Sequence, residues 1–278
     1  MKNKIKIDFS DFWGGFDKTN NYFYNLLKDE FDVEISNNPD YLFFSVFGNN
    51  HQRYNCKKIF YTGENVAPPL QYCDWSFSFD YLDDSRNYRL PHYLLYDGYY
   101  ELQREKIIDE SFVKRKFCNF IHNNLHCPIR NNFFLKLSKY KKIDSGGSVM
   151  NNMGYMVTDR IPKVQWIKDY KFSFAFENEA YRPKYPGYTT EKIMQAMVAN
   201  TIPLYWGNPL IDIEFNKKSF ICYDTFKNED EMIDYIIYLD KNDDKYLDLL
   251  KQPWFIENNI PDNNKIENIK SFLYKIFE

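Results

Sequence analysis

The stretches YLFFSVF (41–47) and TIPLYW (201–206) carry apolar side chains at successive positions, so neither face of the strands they form is suited to water. A strand with one wet face alternates, whereas a strand in a parallel sheet is covered on both sides and reads as a continuous apolar run. Parallel neighbours cannot be joined by a tight hairpin and need a crossover, usually helical. The chain supplies the pieces in that order. KIKIDF reads as a first strand. Thr19 is placed to cap a helix with Tyr22, Phe23, Leu26 and Leu27 at helical spacing. FDVEI, YLFFSVF, KKIFYT and WSFSF follow as strands.

The second half repeats the alternation. FCNFI is followed by a helix from Asn131 with Phe133, Phe134, Leu137 and Tyr140 facing inward. Next come a strand over 172–176, a helix over 190–199 and a strand over 201–206. SFICY and a helix over 229–240 complete the series. Two such sets predict an α/β protein of two Rossmann-like domains facing each other across a cleft, and a length of 278 residues agrees with two domains. The expected division is 1–117 and 118–255, with a closing helix over 256–278 that can pack back on the N-terminal domain. The polar, helix-prone stretch 99–116 is read as the bridge.

Composition removes several alternatives. A net charge of −3 gives no cationic field for nucleic acid, and the KRK run at 114–116 reads as a solvated face. No 18-residue uncharged apolar run is present to span a bilayer, although peripheral membrane association stays open. Asp8 and Asp11 interrupt what would be the apolar region of a signal peptide, so the expected compartment is the cytoplasm. Five cysteines, without a CxxC pair, favour reduced packing residues over a disulfide framework or a zinc cluster.

The chemistry concentrates in FAFENEAYRPKYPGYTTEK (174–192). A connection that only reverses the chain needs roughly four to six residues, and this one is about twice as long. Thr190 is placed to cap the following helix, leaving Glu191 and Lys192 in its first turn. A helix N-terminus presents free N–H groups and partial positive charge, so with Lys192 it suits a diphosphate, while Glu191 suits sugar hydroxyls. The plainer account makes Glu191 a helix-dipole partner and Lys192 a solvated cation. Upstream, TGEN (62–65) falls directly after the strand KKIFY, the position where open α/β sheets place ligands.

The run FAFENEAYRPKYPGYTTEKIMQAMVANTIPLYWG resembles the signature of the α-1,3-fucosyltransferases of glycosyltransferase family 10. FWGGF, FYTGEN, CPIRNNFF, SGGSVMNNMGY and FNKKSF are also similar to the bacterial members, in the same order. The sequence departs from that pattern in a longer loop that carries Arg182 and Lys184. The resemblance implies a GT-B fold and an inverting transfer of L-fucose from GDP-β-L-fucose to N-acetylglucosamine in an N-acetyllactosamine-type glycan. It implies that Glu64 is the catalytic base and that Arg130 and Lys192 hold the diphosphate. Asn178, Tyr188 and Glu191 would contact the fucose, phosphate and ribose. GDP-fucose would be a substrate rather than a bound cofactor, with no metal required. The alternatives are a transferase of another nucleotide sugar and a catalytically silent binding protein.

Weaker candidates remain. His122 and His126 have a helical metal-binding spacing but lack the Glu of HExxH. Asp80, Asp83 and Asp84 could imitate metal-binding carboxylates, and more commonly cap turns. SGG (145–147) lacks a P-loop frame and reads as a flexible turn.

Overall fold

The computed structural model describes residues 2–96, 98–157, 162–179 and 186–278. Every strand pairing among them is parallel, as the apolar runs require. The chain separates into two compact units, one formed by residues up to Leu95 together with Pro186 and Pro261–Glu278, the other by the remaining described residues between Tyr96 and Ile260.

The first unit holds a sheet of β1 (Lys4–Ser10), β2 (Asp32–Ile35), β3 (Tyr41–Phe44), β4 (Lys57–Tyr61), β5 (Trp75–Ser78) and β6 (Asn87–Arg89), in the order β2-β1-β3-β4-β5-β6. Its helix α1 (Tyr22–Glu30) is capped by Asn21, whose side chain accepts the Tyr24 N–H at 3.0 Å. Thr19 is not the cap. Its hydroxyl and N–H both donate to Asp17, which turns the chain just before the helix. Phe23 of α1 packs on Phe43 and Phe77, with ring centroids 5.0 Å apart in each case, and Phe9 stacks on Phe43 from β1.

The second unit holds β7 (Lys116–Phe120), β8 (Ile143–Ser145), β9 (Tyr170–Phe176), β10 (Ile202–Trp206) and β11 (Ile221–Cys222), in the order β11-β10-β9-β7-β8. The helices of this unit are α2 (Pro128–Leu137), α3 (Lys163–Ile167), α4 (Glu191–Val198), α5 (Glu229–Lys241) and α6 (Asp243–Leu250). All seven residues of β9 are buried, including Lys171, which donates to Asp240 at 3.2 Å. Asp240 also accepts from Tyr140 and Lys141, both at 3.0 Å, so the buried ammonium sits in a network rather than a lone pair. Burial opposes the charge of Asp240, but these partners outweigh it and hold its pKa low.

The division at Leu95/Tyr96 lies well before the expected 117/118. Residues 96–115 join the second unit because their side chains are anchored there. Tyr99 packs edge-on against Phe255 at 5.4 Å, Arg115 donates to the Asn200 carbonyl at 2.8 Å, and Lys106 donates to the Leu250 carbonyl at 2.8 Å. Arg115 is therefore a staple, not part of a solvated basic face. The helix-prone stretch forms two short 3-10 turns, Tyr100–Gln103 and Glu110–Lys114, instead of an α-helix. Residues 256–260 stay with the second unit, while α7 (Ile266–Lys275) belongs to the first. There Tyr274 donates to the Leu26 carbonyl of α1 at 2.9 Å, and Phe277 packs on Phe31 and Tyr41.

Candidate active site

In a doubly wound sheet, ligands bind outside the carboxyl ends of the strands, where the strand order reverses. In the second unit the chain runs from β7 to β8 on one side and from β9 to β10 and β11 on the other. The reversal falls between β7 and β9. Their carboxyl ends deliver the 121–130 segment, which leads into α2, and the pair Glu177–Asn178.

Glu177 is fully buried and organises this edge. Its N–H continues the ladder by donating to the Trp206 carbonyl at 2.8 Å. Its carboxylate accepts the Thr190 N–H and the Thr190 hydroxyl, each at 2.7 Å, and Lys192 Nζ at 3.1 Å. Lys192 also donates to the Thr190 hydroxyl at 2.8 Å, closing a three-residue ring. Thr190 does precede α4, but its hydroxyl is committed to Glu177 and makes no cap bond with the helix. The carboxylate itself takes the N–H at the helix entrance. Burial works against the charge of Lys192, yet the Glu177 and Glu191 carboxylates overcome it and its pKa is raised.

The backbone must come close for this to form. A Cβ on Gly207, directly after β10, would stand 2.6 Å from Glu177 Cγ and 3.0 Å from the Tyr205 hydroxyl. The glycine of the YWG string is there to admit Glu177. Below it the Tyr205 hydroxyl accepts the Asn208 N–H at 2.9 Å, and the Asn208 amide donates to Thr189 at 3.1 Å, which fixes the segment next to Tyr188. Tyr188 is itself 5 % exposed.

Arg130 lies in the first turn of α2 with its side chain fully buried. One guanidinium nitrogen donates to Asn178 Oδ1 at 2.8 Å and the other to the Asn124 carbonyl, while Nε has no hydrogen-bond partner among the described residues. Burial lowers its pKa, with Cys127 and Glu177 acting in the other direction. Glu191 pairs at 3.7 Å with Lys163 of α3, whose pKa burial lowers and the Glu191 carboxylate supports. Burial and the Glu191 charge push Tyr96 up to about 12.

Arg130, Asn178, Glu191 and Lys192 are thus gathered at one sheet edge. Glu64 stands in the first unit, three residues beyond β4, exposed and held through its backbone N–H by the Thr62 hydroxyl at 2.9 Å. Arg182 and Lys184, within the stretch 180–185 of the long loop, lie outside the described residues. Glu177 and Lys163 are the two charged residues that sequence reasoning missed. FEN directly after an apolar strand was a usable signal for Glu177, whereas nothing local marks Lys163. Arg130, Lys163 and Lys192 against Glu177 and Glu191 leave this cluster of five side chains with one net positive charge, which suits an anionic ligand.

The weaker candidates resolve differently. His122 is buried at the end of β7 and His126 is exposed in a loop, so they share no helix face. Asp84 holds Arg86 at 2.9 Å, and among the described residues no group of three or more His, Cys, Asp or Glu side chains could hold a metal ion. SGG is a packed turn rather than a flexible one. A Cβ on Gly146 would stand 2.2 Å from Val157 and one on Gly147 would stand 2.3 Å from the His122 carbonyl oxygen.

Two doubly wound parallel sheets, the second with a cationic carboxyl edge, define a GT-B type α/β protein. Residues 7–96 match the alpha-(1,3)-fucosyltransferase FucT N-terminal domain, and residues 93–267 match glycosyltransferase family 10 (fucosyltransferase), C-terminal. The chain belongs to glycosyltransferase family 10. It is 34 % identical to the alpha-(1,3)-fucosyltransferase FucT of Helicobacter pylori over 88 % of its own length and 59 % of that protein, so it spans about three-fifths of this relative. Among solved structures, an alpha1,3-fucosyltransferase superposes with a TM-score of 0.85 at 29 % identity, covering 99 % of this chain and 90 % of the other. The structure of an alpha1,3-fucosyltransferase with GDP-fucose gives 0.83, also at 29 % identity, over 100 % and 91 % of the two chains.

Proposed function

We propose that this protein transfers L-fucose from GDP-β-L-fucose to a hydroxyl of N-acetylglucosamine in an N-acetyllactosamine-type glycan, forming an α-1,3 linkage with inversion. The observation that carries this reading is the buried pairing of Arg130 with Asn178 and of Lys192 with Glu177 at the reversal of strand order. The likeness to the Helicobacter alpha-(1,3)-fucosyltransferase, and the GDP-fucose in a structure of similar fold, support the choice of donor.

The acceptor oxygen attacks C1 of fucose, its proton passes to the Glu64 carboxylate, and the bond from C1 to the diphosphate oxygen breaks. Charge then develops on the departing diphosphate, where two fixed cations, Arg130 and Lys192, stabilise it. Those cations supply what a divalent metal supplies in other transferases, so we expect turnover to persist in a chelator. Asn178, Tyr188 and Glu191 contact the sugar, phosphate and ribose. Trp13, 44 % exposed just beyond β1, offers an aromatic face to an acceptor sugar.

A panel of nucleotide sugars and glycan acceptors tests the reading. We expect transfer with GDP-fucose and none with GDP-mannose. Consumption of a different donor selects another sugar specificity, and GDP binding with no donor consumed selects a silent binding protein. Arg130→Ala and Lys192→Ala should each weaken GDP binding by roughly ten- to hundredfold, the range for a hydrogen bond to a charged group. Calorimetric dissociation constants equal to that of the unaltered protein would remove the diphosphate assignment.

A further inference from the structure

We propose that His122 is a further donor-binding residue, its imidazole Nε2 hydrogen-bonding an oxygen of the nucleotide's diphosphate beside Arg130 and Lys192. The proposal rests on the reading of this edge as a nucleoside-diphosphate-sugar site. His122 follows β7 by two residues, and β7 pairs with β9 through Asn119 and Ser173, so the histidine stands at the reversal of strand order beside the strand that leads into Glu177.

The ring is 4 % exposed and packs on Phe120 with centroids 4.5 Å apart. Its Nε2 is buried without a hydrogen-bond partner among the described residues. Buried ring nitrogens in native proteins are ordinarily satisfied, so an orphan at a sheet's ligand-binding edge points to a group that arrives with the ligand. Arg130 Nε is orphaned in the same way, which places two unmade bonds in one cluster. The histidine backbone cannot drift, because Gly147 packs directly on it and the Val149 N–H donates to its carbonyl at 3.0 Å.

The charges that face the ring come from three helices: Arg130 of α2, Lys163 of α3, and Lys192 and Glu191 of α4. Burial first, then the three cations, hold its pKa well below the ordinary value of 6.5, with Glu191 opposing weakly. A ring in that setting is neutral and keeps one N–H. A diphosphate brought among the cations offsets their field and supplies the acceptor which that N–H requires.

The test is GDP titration calorimetry on the unaltered protein, His122→Phe and His122→Gln, with the imidazole proton resonances of the unaltered protein followed by NMR. We expect His122→Phe to raise the GDP dissociation constant about tenfold or more. His122→Gln, which retains an N–H donor, should recover most of that loss. The His122 ring resonance, identified by its absence in the glutamine variant, should shift on saturation with GDP. An unshifted resonance, or a folded His122→Phe with GDP affinity within about twofold of the unaltered protein, makes the residue a packing group and overturns the proposal. If the phenylalanine variant does not fold, the NMR shift decides. Absence of GDP binding by the unaltered protein is a separate result, which defeats the donor-site reading itself and this proposal with it.

Discussion

Glu177→Ala is expected to destabilise the second unit by about 3–5 kcal/mol, the cost of removing one partner from a buried ion pair. The substitution leaves the Thr190 N–H without its acceptor and strips Lys192 of its carboxylate while both stay buried. Glu177→Gln keeps an acceptor for the N–H and loses only the charge, so about 1–3 kcal/mol is expected. Urea denaturation measures both, and an alanine variant within 1 kcal/mol of the unaltered protein would show that the ring does not hold this edge together. The pH dependence has a definite sign. The folded pKa of Lys192 is raised above the ordinary 10.5, so the contribution of the pair is fully present below that value and is lost only as the pH rises through the raised one. Between pH 6 and 9 the contribution of Lys192 should therefore be flat.

Glu64→Gln should lower kcat by about 10²–10⁴-fold, the usual range for removal of a general base. The GDP dissociation constant should not change. Glu64 is exposed, and the bond that holds its turn runs from its backbone N–H to Thr62, so the amide replaces the carboxylate without disturbing the fold. Turnover above about a tenth of normal would exclude Glu64 as the base and send the search to other groups at the carboxyl edge of the first sheet.

The two experiments separate two kinds of carboxylate. Glu64 is exposed and has a proposed chemical role. Glu177 is buried, and its role is to aim Lys192 and the entrance of α4. A loss of activity in Glu177→Ala should therefore be accompanied by lost stability, whereas in Glu64→Gln it should not.

Much of this was legible in the residues. The apolar runs at 41–47 and 201–206 pointed to strands covered on both faces, because neither offers a polar side to water, whereas Lys171 and Ser173 gave no such signal for 170–176, whose full burial only the structure shows. The βαβ unit around 172–206 followed from the turn and helix signals that flank them. The TGEN, PIRN, FEN and TEK strings marked the candidate residues through family resemblance. The domain boundary was less legible, because polar residues at 96–115 look like a linker until Tyr99, Lys106 and Arg115 are seen to be held by Phe255, Leu250 and Asn200.

By itself the sequence determined which segments are buried and which residue types stand at strand ends, since both depend on neighbours within a few positions. Only the tertiary structure decided the partners. It turned the Thr190 hydroxyl from a helix cap to Glu177, paired Glu191 with Lys163, and left His122 Nε2, beside three cations, without a hydrogen-bond partner among the described residues. The physical reason is that such contacts join residues far apart in the chain, and a buried charge or ring nitrogen takes its protonation state and its role from neighbours that only the completed sheet brings within reach.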